Sequence, residues 1–197
     1  MFKRVAFLYQ VVYNERNPFI MKKNIAIICL DKAMARSTAQ LLADQLTMRF
    51  FDMRELFEFD HKPHSFKDML GDYGITYYRQ KELGILKYAS DFENIVFNID
   101  SDVLYKKDTL KNLAENFLII YMHINPALAL KIVNKEEYCC YKEKSMYALT
   151  KDKLTTRIEN VRSQADIEVN VSSSTYFKAS SDIMRAIQKY YGITSKK

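Results

Sequence analysis

Asn24-Ile25-Ala26-Ile27-Ile28-Cys29-Leu30-Asp31-Lys32-Ala33-Met34-Ala35-Arg36-Ser37-Thr38 is an apolar run that passes into a basic, helix-forming one. Strand, loop and helix in that order are the setting of G-x-x-x-x-G-K-[ST], whose backbone N–H groups surround a phosphate at a helix N-terminus. Here Leu30 and Ala35 stand at the two glycine positions and Arg36 at the lysine, while Ser37 and Thr38 are retained. A glycine-rich loop converges its amides only because some of its residues take positive φ. Forcing alanine into that region costs about 1–2 kcal/mol, and added side chains crowd the anion. Two readings stand side by side: a nucleotide grip using Lys32, Arg36, Ser37 and Thr38, or a plain strand-to-helix turn. In either, the helix is expected over 36–46, with apolar Ala39, Leu41, Leu42, Ala43 and Leu46 on a helical repeat.

Outward from this stretch, strands and helices alternate. Residues 48–52 form a short strand ending on Asp52, and 55–73 are mixed, with Pro63 interrupting them. A helix is expected over 77–88, then a strand over 94–99 closed by Asp100-Ser101-Asp102, and a helix over 107–116. Residues 117–124 are the strongest strand, stopped by Asn125-Pro126, which opens a helix over 127–137. Residues 136–150 are polar and poorly periodic and have the character of a mobile loop. A helix over 151–165, a fifth strand over 167–171 and a closing helix over 180–191, with Gly192 behind it, complete the chain. Near-continuous apolar strands alternating with helices call for an α/β three-layer sandwich, a parallel sheet covered on both faces.

Composition narrows the function classes. At 197 residues and 48% hydrophobic, the chain suits one domain with a full core. The expected division is an N-terminal extension over 1–22, with Met21 as a natural start, and a single domain over 23–197. Only four glycines occur, where average usage of about 7% would give roughly fourteen, so the loop's lack of glycine is part of a general scarcity. The net charge of +6 is spread among alternating acids, a solvated surface rather than a nucleic-acid stripe. Cys29, Cys139 and Cys140 are an odd count without C-x-x-C spacing, as expected of free thiols in a reducing cytoplasm. His61 and His64 have no third metal ligand near them and suit a surface turn. No apolar run approaches the ~20 residues of a bilayer span.

Four local patterns together resemble the shikimate kinase family over residues 24–190, nearly the whole chain. The first is the loop position. The second is Phe51-Asp52-Met53-Arg54, similar to F-x-D-x-D, with Arg54 in place of the second aspartate. The third and most specific is Gly74-Ile75-Thr76-Tyr77-Tyr78-Arg79-Gln80-Lys81-Glu82, similar to G-E-x-x-F-R-x-x-E. The fourth is Arg157-Ile158-Glu159-Asn160-Val161-Arg162-Ser163-Gln164-Ala165-Asp166, similar to R-x-x-x-Y-x-x-x-A-D. Two departures accompany them. The family's triple-glycine turn is Ile99-Asp100-Ser101-Asp102 here, and its lid motif is absent from 136–150, where Lys142 and Lys144 are the nearby cations.

The resemblance implies a phosphate-loop kinase topology with ATP and Mg2+ as cofactors and a small-molecule carboxylic acid as substrate. Arg79 and Arg157 would hold the carboxylate, since guanidinium forks pair bidentately with it. Glu82 would complete that pocket, and Arg54 would make it more cationic. Asp52 and Arg36 would serve catalysis by orienting the hydroxyl and neutralising charge, and Ser37, Asp52 and Asp100 are the candidate magnesium ligands. Acids at strand ends also cap helices, and that alternative stays open for Asp52 and Asp100. Lys131 lies near the adenine-contacting position. Two expectations follow: a weak or non-catalytic relative that binds an anionic carboxylate or a protein partner, and an active divergent kinase. Binding of nucleic acid ranks last, and no membrane association is expected.

Overall fold

The computed structural model describes residues 22–60, 66–100, 108–135, 151–172 and 174–193. Five strands, β1 (Asn24–Cys29), β2 (Arg49–Asp52), β3 (Ile95–Asp100), β4 (Phe117–His123) and β5 (Ile167–Asn170), form one sheet in the order β2-β3-β1-β4-β5. Every pairing is parallel, with Ile27 opposite Asn98 on one side and Ile120 on the other. Strands β1, β3 and β4 are buried along nearly their whole length, so their apolar runs feed both faces of the sheet. The three-layer α/β expectation is met.

On one face lie α1 (Lys32–Leu46) and α6 (Tyr176–Tyr190), packed with Ile25, Ile27, Leu118 and Ile120. The buried residues of α1 are Ala35, Thr38, Ala39, Leu42 and Ala43, a helical stripe of mostly small side chains that lets it lie close to the sheet. The other face carries α3 (Phe66–Ser90) and the turns around Leu110 and Leu113, packed on Ala26, Ile28, Phe97 and Ile119. Between β2 and α3 runs α2 (Met53–Asp60), with α4 (Pro126–Lys135) and α5 (Lys151–Arg162) flanking β4 and β5. Because all strands run the same way, Cys29, Asp52, Asp100, His123 and Asn170 end on a single edge. In open α/β sheets this carboxyl edge is where ligands bind.

Several boundaries differ from the sequence expectations. α1 begins four residues before Arg36, and α6 begins at Tyr176 rather than 180, capped by the Thr175 hydroxyl. The mixed stretch after residue 55 contains α2 and the start of α3, with Pro63 between them outside the described residues. In place of a helix over 107–116 there is a single 3-10 turn, Lys111–Leu113. Asp108 is left-handed, and Leu110 N–H donates to the Gln164 side chain at 2.8 Å, so the segment is tethered locally rather than wound. Within α3, Gly74 breaks the helix with φ 74° and ψ 174°, a combination open to glycine alone without strain. The lid at 136–150, the extension at 1–21 and the His61–His64 turn lie outside the described residues.

Candidate functional site

The turn after β1 is two residues long. Asp31 keeps non-helical angles, and its carboxylate accepts from the Met34 N–H at 2.9 Å, which makes it the N-cap of α1. Its carbonyl accepts from the Ala35 N–H, so the helical ladder is already running through the residues expected to form a loop. Left-handed backbone among the described residues occurs at Thr47, Gly74, Asn94, Asp108 and Gly192, and nowhere between residues 30 and 36. The cause lies in composition: no glycine opens the turn, Lys, Ala, Met and Arg are strong helix formers, and Asp is a preferred cap. Residues 32–36 therefore lie in the first turns of a helix. Ser37 becomes the sixth helical residue, and Thr38 is wholly buried, its Oγ1 without a hydrogen-bond partner among the described residues.

The cations of this region face acids at neighbouring strand ends. Lys32 Nζ lies 2.9 Å from Asp100 Oδ2, both side chains nearly buried. Arg54 reaches the same oxygen at 3.8 Å. Arg36 pairs with Glu55, and its Nε lies 3.6 Å from Asp52 Oδ2. Asp52 is the start of α2 as much as the end of β2: its Oδ1 accepts from the Arg54 and Glu55 N–H groups at 3.0 and 3.1 Å. Asn98 Nδ2 donates to its Oδ2 at 2.8 Å. Asp52 thus caps the start of α2, a role the sequence leaves open for it.

Beside this cluster, Met53, Arg54, Phe57, Tyr78, Glu82 and Asp100 line a recess of about 10 Å3, room for about one water. The Phe57 and Tyr78 rings pack 5.0 Å apart as its apolar wall. Glu82 is 1% exposed. Arg79 Nη1 donates to its Oε2 at 2.6 Å, and its Oε1 has no partner among the described residues. Burial pushes the Glu82 carboxyl up to about 7, outweighing Arg79 and the Tyr78 hydrogen bond, which pull it down; Asp100 adds a smaller upward push. The Arg79–Glu82 pair is thus a largely buried contact rather than a surface one.

Of the residues singled out in the sequence, Lys32, Arg54 and Asp100 form one set of ion pairs and Arg36 and Asp52 another, and Arg54 and Asp100 line the recess with Glu82, the partner of Arg79. Arg157, half-buried on α5, and Lys131, exposed on α4, are not part of the recess wall. Asp166, the last residue of the fourth pattern, is structural: it accepts from the Ile119 N–H at 2.8 Å and from Lys22. Sequence reasoning missed Asp31, Glu55, Phe57 and Asn98. Asp31 carried a usable signal, a capping residue just before a run of helix formers; Asn98, an apolar-strand position filled by an amide, carried none.

Comparison with known proteins bears on the family and the fold. The family model described as shikimate kinase matches residues 35–188. A shikimate kinase of Alkaliphilus oremlandii (strain OhILAs) is 26% identical over 172 residues, covering 83% of this chain and 98% of that protein. The structure of shikimate kinase from Acinetobacter baumannii in complex with shikimate superposes with a TM-score of 0.74 at 17% identity, over 87% of this chain and 96% of that one. The shikimate kinase of Aquifex aeolicus gives 0.73 at 18% identity, over 87% and 99%. At these identities the two structures speak for the fold, and it is the family match across most of the chain that decides membership. This chain, with its five-stranded parallel sheet and its helices, belongs to the shikimate kinase family.

Proposed function

We propose that this family member binds a hydroxylated carboxylic acid through Arg79 and Arg157 and does not transfer a phosphoryl group from ATP. The observation that carries the reading is the start of α1 at Lys32, with the Asp31 carboxylate at its N-terminus. ATP with Mg2+ needs converging amides and uncommitted cations. Here the amides follow a helix, a carboxylate stands where a phosphate would, and Lys32 and Arg36 face Asp100, Asp52 and Glu55. The residues present do not fit the nucleotide.

The acid-binding half of the proposal rests on Arg79, oriented by Glu82, with Arg157 as its expected second fork and Arg54 at the rim. Shikimate is the first ligand to try, since the A. baumannii relative was solved with it. The test pairs an ADP-release assay containing shikimate and Mg-ATP with thermal unfolding in each ligand alone. Expected are no ADP above the blank, no shift with Mg-ATP, and a shift with shikimate approaching the ~2.7 kcal/mol of a ligand at 100 times its dissociation constant. Sustained ADP release dependent on shikimate would overturn the proposal.

A second reading, an active divergent kinase, draws on the exposure of Ser37 and on Asp52 and Asp100 at the carboxyl edge. It predicts the opposite result in the same assay.

A further inference from the structure

We infer that the cleft is plugged from within: Asp31, Asp52, Glu55 and Asp100 supply the negative charge that a bound polyphosphate would otherwise bring, and they hold a latent anion site shut. The inference rests on the reading above, that nucleotide is not taken up, and adds why and how reversibly. Three separate contacts carry it. The Asp31 carboxylate holds the Met34 N–H at the N-terminus of α1 at 2.9 Å. Asp100 lies between Lys32, at 2.9 Å, and Arg54, at 3.8 Å. Arg36 is flanked by Glu55 and Asp52.

These contacts differ from incidental surface pairs. The Lys32 and Asp100 side chains are only 15% and 8% exposed, so their charges are poorly screened. Asp52 is fixed by two backbone N–H groups and by Asn98, so it cannot swing aside when an anion approaches Arg36. Among the described residues, three cations, Lys32, Arg36 and Arg54, pair with three carboxylates, Asp52, Glu55 and Asp100, and Asp31 adds a fourth negative charge at the start of α1. A polyanion meets repulsion there even though three basic side chains are present. Neutralising two of the carboxylates reverses the sign of the cluster.

The experiment titrates inorganic tripolyphosphate, at low salt and by calorimetry, into wild type and into Asp31→Ser/Asp100→Asn. Serine keeps a capping oxygen at the helix start, and asparagine keeps the shape of the aspartate. The double variant should bind tripolyphosphate roughly tenfold tighter or better than wild type, with the gain lost on adding Lys32→Met and weakened by salt. Should the double variant fold poorly by circular dichroism, Asp31→Ser alone should give a smaller gain in the same direction. A folded variant that binds no tighter than wild type overturns the plug while leaving the proposed function standing. Tight, productive binding of Mg-ATP by wild type overturns the reading beneath it.

Discussion

Removing the Asp100 carboxylate tests the cluster where it is most deeply set. At 2.9 Å from Lys32, the gross attraction is about 6 kcal/mol at an effective dielectric constant of about 20. Most of it offsets the cost of taking two charges out of water. What matters is therefore the asymmetry: losing one partner strands the other, at a cost of about 3–5 kcal/mol, whereas losing both is nearly neutral. Asp100→Ala takes a close partner from Lys32 at a site with little solvent access, while Arg54, at 46% exposed, can turn to water. The expected loss is about 3 kcal/mol, the low end of that range. With an m-value of about 2 kcal/mol per molar urea, this lowers the unfolding midpoint by roughly 1.5 M. Lys32→Met should cost a comparable amount, and the double variant far less than the sum of the singles, since losing both charges is nearly neutral. Urea unfolding of the four proteins, followed by circular dichroism, gives the cycle. Additive losses, or an Asp100→Ala loss below about 1 kcal/mol, would refute the claim that these side chains are matched to each other.

Three further outcomes follow from single positions. Burial raises the Glu82 carboxyl from 4.5 to about 7, so the folded chain holds this proton more tightly than the unfolded one. Stability should therefore fall as pH rises between about 4.5 and 7 and level off above, with a slope of at most about 1.4 kcal/mol per pH unit from this group; Glu82→Gln should remove that slope from a series of urea midpoints. Gly74→Ala meets no neighbour within 4 Å but keeps φ at +74°, so it should cost about 1–3 kcal/mol through backbone strain alone, measured by thermal unfolding. Thr47, a β-branched residue at φ 56° ending α1, predicts the reverse: Thr47→Gly should raise stability by about 1 kcal/mol, and a loss would show that its side chain contributes more than its strain.

Much of the sheet was legible because strands buried on both faces spell themselves out. Residues 24–29, 95–99 and 117–122 are all buried and nearly all apolar, and no helix with a polar face could be written that way. The start of α1 was misplaced for an instructive reason. Alignment to a glycine-rich pattern sets the loop by analogy, whereas Asp31 followed by Lys-Ala-Met-Ala-Arg sets the helix by local propensity, and with no glycine present propensity wins. The 3-10 turn at Lys111–Leu113 was overcalled as a helix because its apolar spacing is helical, while its hydrogen bonding is decided by a distant partner, Gln164.

The same division runs through the site. The residue types at Arg36, Asp52, Arg54, Arg79, Glu82 and Asp100 drew attention from sequence alone, but which of them pair with one another did not. Whether Asp52 caps a helix or faces a ligand depends on where α2 begins, one residue later, and Met53-Arg54-Glu55 gives little warning of it. Opposite charges far apart in sequence, such as Lys32 and Asp100, become neighbours only through the parallel pairing of β1 with β3.

The most direct test follows the backbone amides of residues 32–37 by two-dimensional NMR as Mg-ATP is added to the wild-type protein. Helical amides capped by the chain's own carboxylate should stay in place throughout the titration. Saturable shifts at Ala33, Met34 and Ala35 would show a phosphate seated over the helix start, and would contradict the account.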